Sequence, residues 1–170
     1  MKLSARRLVL LALALMMVAP AFAAAQTPAP AASPPQDDDI TSEIALSRAS
    51  IQVRRQALVT AAMDLDNAEA EKFWPLYRDY RNEMARVGDR LVKLINEYAD
   101  VYDTITDEQA GRMLDEYLSI QRATGEVKAA FVPKFRQILP ARKVARFFQV
   151  DNKLDAVINS QLAAGIPLVK

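Results

Sequence analysis

The side chains in this chain that could act as an acid–base pair are carboxylates set close together. Asp100 is followed by Asp103, and Asp115 is next to Glu116. General acid–base catalysis needs groups of this kind that converge on one pocket. The first pair falls at a predicted turn and the second consists of helix neighbours, so we expect both to be solvated. The alternative is a weak oxygen-ligand cation site formed by Asp100, Asp103, Asp107 and Glu108.

Histidine and cysteine are absent from all 170 residues. This composition excludes a His-based catalytic triad, a thiol nucleophile, a Cys/His zinc site and a Glu-x-x-His di-iron site. The sequence also contains no G-x-S-x-G, no P-loop and no G-x-G-x-x-G motif. We therefore predict that the protein is not an enzyme and has neither a cofactor nor a metal site.

Basic residues interleaved with aromatic ones form the remaining cluster that could carry a function. Between Lys134 and Lys153 lie six cations, and Asp151 is the one acidic residue among them. Such a surface suits acidic, partly apolar partners such as unfolded segments, anionic headgroups or an acidic sensor domain. The alternative is a solvated basic face over an ordinary core. The predicted binding residues are Trp74, Tyr77, Lys134, Arg136, Arg142, Lys143, Arg146, Phe147 and Phe148.

The first residues have the features of a secretory signal peptide. Lys2, Arg6 and Arg7 precede an uninterrupted apolar run over 8–18, and an A-x-A cleavage site ends at Ala23. This run is too short to span a bilayer, which takes about 20 residues, so a retained membrane anchor is the less favoured alternative. We predict a signal peptide over 1–23 and a mature protein that is periplasmic or secreted.

Cleavage would leave a nearly balanced charge. Removing Lys2, Arg6 and Arg7 from 22 basic residues leaves 19 against 21 acidic ones, a net charge of −2. This balance and the predicted export argue against nucleic acid as a partner. Residues 24–39 are rich in proline and end in three aspartates, which predicts a disordered linker. A helical domain over 40–170 follows.

Heptad spacing predicts a long helix over 67–102. Apolar residues recur there in alternating steps of four and three, as in a helix that packs along a partner. They are Phe73, Tyr77, Tyr80, Met84, Val87, Leu91, Leu94, Tyr98 and Val101. The next helix is predicted to carry on its inner side Leu114, Tyr117, Ile120, Val127, Phe131, Phe135 and Ile138.

Capping signals place the start of each long helix. Thr106 and Gln109 have the spacing of a capping box, and Asp66 and Glu69 repeat it 40 residues earlier. The short connection between the two helices predicts an antiparallel hairpin that turns near Thr104.

Flanking segments predict a first and a fourth helix. The fourth begins after Pro140. Its predicted buried residues are Val144, Phe147, Leu154, Ile158 and Leu162. The spacing of Ile44, Ile51 and Leu58, each seven apart, suggests a weaker first helix.

Prolines and glycines interrupt the two long helices. Pro75 and Pro133 each remove a backbone hydrogen bond, so we predict kinks there, at one height of the hairpin. Gly88 and Gly125 indicate either a flexible or closely approached waist or a solvated face. The fold class is therefore all-α: a long antiparallel helical hairpin with kinks near Pro75 and Pro133, plus flanking first and fourth helices.

The order of these features resembles the Spy and CpxP group of exported envelope-stress proteins, whose helices open with an L-T-x-x-Q motif. The segment 105–109 matches this motif with isoleucine in place of leucine, and 65–69 is a degenerate copy. The resemblance implies a cradle-shaped, often dimeric helical protein that binds unfolded clients without ATP or modulates a sensor kinase. The metal-sensing branch of the group would find no histidine ligands here.

Three functions follow as hypotheses. The first is an ATP-independent, chaperone-like protein that binds unfolded clients. The second is a regulatory partner of an envelope sensor protein. The third is a purely structural helical dimer. Proteins are the predicted partners in each case, with a possible homodimer and at most peripheral contact with an anionic membrane surface.

Overall fold

A computed structural model of the chain describes the backbone of residues 37–169 and the side chains of 50–169. This range contains four α-helices and no strand. They are α1 (Asp37–Met63), α2 (Asn67–Val101), α3 (Asp107–Ile138) and α4 (Ala141–Gly165). The predicted all-α fold with four helices is confirmed. The predicted signal peptide and most of the predicted linker lie outside the described residues.

Helix α1 begins at Asp37, three residues before the predicted domain boundary at Ile40. The last proline before α1 is Pro35. Each of the three aspartates at 37–39 has the backbone N–H that a helix needs. The predicted boundary rests on Ile40, the first large apolar residue after the proline-rich segment. The backbone of a helix can begin before its first apolar residue. No helix in the described range is long and apolar enough to cross a membrane.

Capping boxes open both long helices. The Asp66 carboxylate accepts from the Glu69 amide at 2.8 Å, and the Glu69 carboxylate accepts from the Asp66 amide at 3.1 Å. At α3, the Thr106 hydroxyl accepts from the Gln109 amide at 3.2 Å, and the Gln109 side chain accepts from the Thr106 amide at 2.9 Å. Each box satisfies two amides that lack partners at a helix start.

Helices α2 and α3 run antiparallel, because the start of one contacts the end of the other. The rings of Phe73 and Phe135 lie 5.6 Å apart, and Arg90 pairs with Glu116 at 3.0 Å. Pro75 and Pro133 lie inside α2 and α3 respectively. The bends expected at these prolines stay a prediction.

The core gathers at the end of the bundle where α1 and α3 finish and α2 and α4 begin. Phe73, Tyr80, Phe135 and Phe147 are fully buried there, and most pairs of these four rings lie within about 6 Å as tilted or edge contacts. Val59 and Met63 of α1, Phe131 of α3 and Val144 of α4 belong to the same cluster.

The buried faces of α1 and α3 differ in part from the apolar spacing in the sequence, and the side chain of Ile44 lies outside the described residues. In α1, Leu58 is 51% exposed, whereas Val59 and Met63 are fully buried. The buried stripe of α1 continues to Arg55, which is 5% exposed. A search for apolar residues alone passes over this stripe, because one of its members is a cation.

The second difference lies in the first half of α3. Leu114 and Tyr117 are 59% and 44% exposed, whereas Ile120, Phe131 and Phe135 are buried as predicted. Met113 is half-buried, so the buried face of this half includes Met113 and Ile120. Leu114 lies about 100° further round the helix, on the solvent side.

Candidate functional site

The aromatic residues of the predicted binding surface belong to the core. Phe147 is fully buried and Tyr77 is 5% exposed, so both side chains pack inside the bundle, and their client-binding role stays a prediction. Trp74 and Phe148 are half-buried and pack against the same core cluster. Phe147 and Phe148 follow Arg146 in the sequence, but adjacent positions of a helix point to different faces. The cations of α4 therefore lie on one face and its aromatic residues on another.

The cations of that surface have separate roles. Lys143 donates to the Glu69 carboxylate and, at 2.9 Å, to the Asp64 carbonyl. Arg146 is exposed and donates to the Ala62 carbonyl at 3.5 Å. Both contacts connect the start of α4 to the turn between α1 and α2.

Three further cations of the predicted binding surface are exposed. They are Lys134, Arg136 and Arg142, which we call the basic edge. Lys134 Nζ lies 4.2 Å from the centre of the Phe131 ring, a cation–π distance. All three present positive charge to solvent, and Lys134 does so against an aromatic ring of the core.

A buried ionic cluster connects all four helices. Asp151 of α4 is fully buried and accepts from Arg55 of α1 at 2.7 Å and from the Tyr80 hydroxyl of α2 at 2.6 Å. Asp155 accepts from Arg55 at 2.7 Å and from Lys128 of α3 at 2.8 Å. Arg81 approaches Asp151 to 3.6 Å. The buried ionic cluster comprises Arg55, Tyr80, Arg81, Lys128, Asp151 and Asp155.

Electrostatics within the cluster favour the charged form of Asp155. Burial acts to raise the pKa of Asp155, but the hydrogen bond from Lys128 and the charge of Arg55 outweigh it and hold that pKa below its usual value. Burial raises the pKa of Tyr80, as does the negative charge of Asp151, so its hydroxyl stays a donor.

Partner geometry gives the cluster a structural role. Both oxygens of Asp151 and both oxygens of Asp155 are engaged by neighbouring side chains. Within the described residues, Nε and Nη1 of Arg81 are buried without a hydrogen-bond partner. The arrangement connects the four helices through their side chains.

Sequence reasoning missed this cluster, although a signal for it existed. Arg55 shares a helix stripe with Val59 and Met63, and Asp151 shares one with Val144 and Phe147. One cation and one anion therefore occupy core positions of different helices. Opposite charges at core positions are buried together far more readily than either is alone.

An exposed apolar face lies on the first half of α3. Leu114, Tyr117 and Leu118 are 59%, 44% and 50% exposed and follow each other at helical spacing. Side chains three and four residues apart are neighbours on a helix surface, so these three form one patch. We call it the α3 apolar face.

A groove lies on another side of the same region, between α2 and α3 near their connecting turn. It encloses about 470 Å³, within the range of about 300–1,000 Å³ typical of ligand pockets. We call it the tip groove, and it is lined by Leu94, Glu97, Asp100, Val101, Gln109, Arg112, Met113 and Glu116.

The carboxylates considered as a cation site do not form a set of metal ligands. Within the described residues, no three acidic side chains are placed to hold a metal ion. Glu108 instead pairs with Arg112 at 2.6 Å along α3. Asp115 is exposed, whereas Glu116 pairs with Arg90 across the hairpin, so this adjacent pair does not converge on one pocket.

Comparison of the chain with protein-family models, with curated proteins and with solved structures finds no match.

Proposed function

We propose that this protein is an exported, ATP-independent, chaperone-like binding protein that holds unfolded polypeptide segments. The observation that carries the proposal is the α3 apolar face, where Leu114, Tyr117 and Leu118 lie side by side in solvent. Contiguous apolar side chains on a soluble helix mark an interaction surface. Unfolded chains expose apolar segments of many sequences, and such a patch binds them without requiring one geometry.

Charge supports the same proposal. The basic edge presents Lys134, Arg136 and Arg142 to solvent, which favours encounter with acidic stretches of a client. No step of such binding needs a nucleotide or a reactive side chain. The proposal also agrees with the resemblance of 105–109 to the L-T-x-x-Q motif of Spy and CpxP.

Suppression of aggregation tests the proposal. The purified chain, without nucleotide, should reduce light scattering from a heat-denatured enzyme of unrelated sequence. The variant L114Q/Y117Q/L118Q should lose most of this effect, because glutamine keeps the helix and removes the apolar patch. The control V53Q/L58Q/V157Q changes three other exposed apolar residues and should retain it. No suppression by the wild-type chain at several-fold molar excess would overturn the proposal.

A regulatory partner protein is the second candidate, favoured by the exposed basic edge. An acidic sensor domain would contact Arg136 and Arg142 through complementary charge. A photoreactive residue at position 142, used in the intact envelope, separates the candidates. Many crosslinked products support a chaperone, one discrete product supports a regulatory partner, and a self-dimer alone supports a structural dimer.

A further inference from the structure

We infer that the tip groove is a docking site for a cationic amphipathic peptide segment, in which lysine or arginine accompanies apolar side chains. Leu94, Val101 and Met113 supply the apolar part of the lining, and Leu94 is 8% exposed. Glu97 and Glu116 lie on the two helices that form the walls. A partner that fits must therefore offer apolar contact and positive charge at once.

The charge around the groove selects a cationic partner. Residues 90–116 contain seven carboxylates and three cations, a net charge of −4. Such a concentration of one sign attracts and orients an oppositely charged segment. The carboxylates are Glu97, Asp100, Asp103, Asp107, Glu108, Asp115 and Glu116, and the cations are Arg90, Lys93 and Arg112.

Two of the three cations of this region form close ion pairs. Arg112 pairs with Glu108 at 2.6 Å, and Arg90 pairs with Glu116 at 3.0 Å and donates to Ser119 at 2.8 Å. Each pair cancels one charge of either sign, so the region keeps its net negative charge.

Glu97 is the carboxylate best placed to accept a new partner. Its contact with Lys93 is long, at 3.6 Å, and joins side chains that are 51% and 78% exposed. Exposed pairs of this kind contribute at most about 1 kcal/mol. A lysine of a bound peptide can therefore replace Lys93 at small cost.

This docking site is separate from the surface that carries the proposed function. Met113 and Glu116 line the groove, whereas Leu114 and Leu118 are exposed and do not line it. Failure of the chaperone assay would leave the groove proposal standing, and the reverse also holds.

Fluorescence anisotropy of labelled synthetic peptides tests the inference on the full chain. The probe is a short peptide with lysine and leucine at helical spacing; one comparison peptide has serine for leucine and another has glutamate for lysine. The lysine–leucine peptide should bind saturably and more weakly at high salt. Both comparison peptides should bind more weakly by at least about fivefold, because each lacks one of the two required contacts.

Variants locate the binding. E97Q/M113Q should weaken the lysine–leucine peptide about fivefold, through loss of one charge contact and one apolar contact. The control E126Q/V157Q removes one carboxylate and one apolar side chain at exposed positions outside the groove and should bind as the wild type does. Equal binding of the lysine–serine peptide, unchanged binding by E97Q/M113Q, or loss of binding in L114Q/Y117Q/L118Q would each overturn the inference.

Discussion

At the scale of single residues, Asp151 is the side chain with the largest structural consequence. It is fully buried, and its partners Arg55 and Tyr80 lie on α1 and α2. A buried carboxylate is tolerated because cations and a hydroxyl replace the water that it loses. Removing its charge leaves the positive charge of Arg55 buried and uncompensated. This loss of stability is larger than the net stabilisation that the intact ion pair provides.

Asp151→Asn should therefore lower the free energy of unfolding by about 3–5 kcal/mol, the cost of breaking a buried ion pair from one side. Chemical denaturation monitored by circular dichroism measures this change. The matched control Asp79→Asn removes the same charge from an exposed position of α2 and should change stability by at most about 0.5 kcal/mol. Equal effects of the two substitutions would contradict the role given to the cluster.

Asp155 should make stability depend on acidity. Its pKa is held below the usual value, so the folded state binds this proton less tightly than the unfolded state does. The stabilisation is complete above about pH 4 and is lost as the pH falls further, toward the lowered pKa. Arg55 and Lys128 are the charged groups paired with it.

Denaturation as a function of pH checks this expectation. The free energy of unfolding of the wild type should decrease on acidification below about pH 4. Asp155→Asn should be less stable at neutral pH and should show a shallower decrease in that range. If the free energy of unfolding of both proteins decreases equally steeply below about pH 4, Asp155 does not cause this pH dependence.

At the scale of elements, helix starts follow from local chemistry. Both capping boxes join residues three apart and need nothing from the rest of the molecule. For the same reason the boundaries of α2 and α3 could be predicted from the sequence. The buried face of each helix could not, since it depends on what packs against it.

Thr106→Ala should destabilise the protein by about 1 kcal/mol, the typical cost of losing an N-cap side chain. Thermal or chemical denaturation measures the change. Thr60→Ala is the control: the Thr60 hydroxyl donates to the Gln56 carbonyl at 2.9 Å within its own helix, so its loss leaves no helix-start amide without a partner. A similar loss of stability in both variants would argue against a stabilising role for the Thr106 cap.

Gly125→Ala should stabilise α3 by about 0.5–1 kcal/mol, because alanine restricts the unfolded chain and favours a helix. A Cβ at this position would meet no atom within 4 Å, so close approach within the chain does not explain this glycine. Ala129→Gly, at an exposed position of the same helix, should lower the stability by a similar amount. Destabilisation by Gly125→Ala would indicate a packed partner at that surface.

At the scale of the whole molecule, stability is concentrated at one end. The core cluster and the buried ionic cluster occupy the end where α1 and α3 finish. Among the side chains that the structure describes, fewer are buried at the opposite end, namely Leu94, Ile95 and Ile120. Both proposed uses of the molecule lie toward that end, on the α3 apolar face and in the tip groove.

Hydrogen exchange should reflect this asymmetry. Amides in the segments 76–80 and 134–138 should exchange slowest, at the rate of global unfolding. Those around the connecting turn, 102–106, should exchange faster by about tenfold or more through local opening. Mass spectrometry of peptic fragments measures both. Equal protection at the two ends would contradict the uneven distribution of buried contacts.

The predicted binding residues show where reasoning from the sequence stops. Phe147 and Phe148 were grouped with the cations because they are close in sequence, but Phe147 is fully buried. Conversely, Leu114 was assigned to the core and is 59% exposed. Apolar character predicts that a residue prefers burial; it does not decide which of several neighbouring apolar residues finds a partner.

The all-α class, the number of helices and the caps of α2 and α3 follow from the amino-acid order. They depend on hydrogen bonds and side-chain contacts between residues at most a few positions apart. The ion pair of Arg55 and Asp151 joins residues 96 positions apart at 2.7 Å in the interior, so it depends on the packing of the helices. A buried charge is stable only beside its partner, and the packing selects that partner.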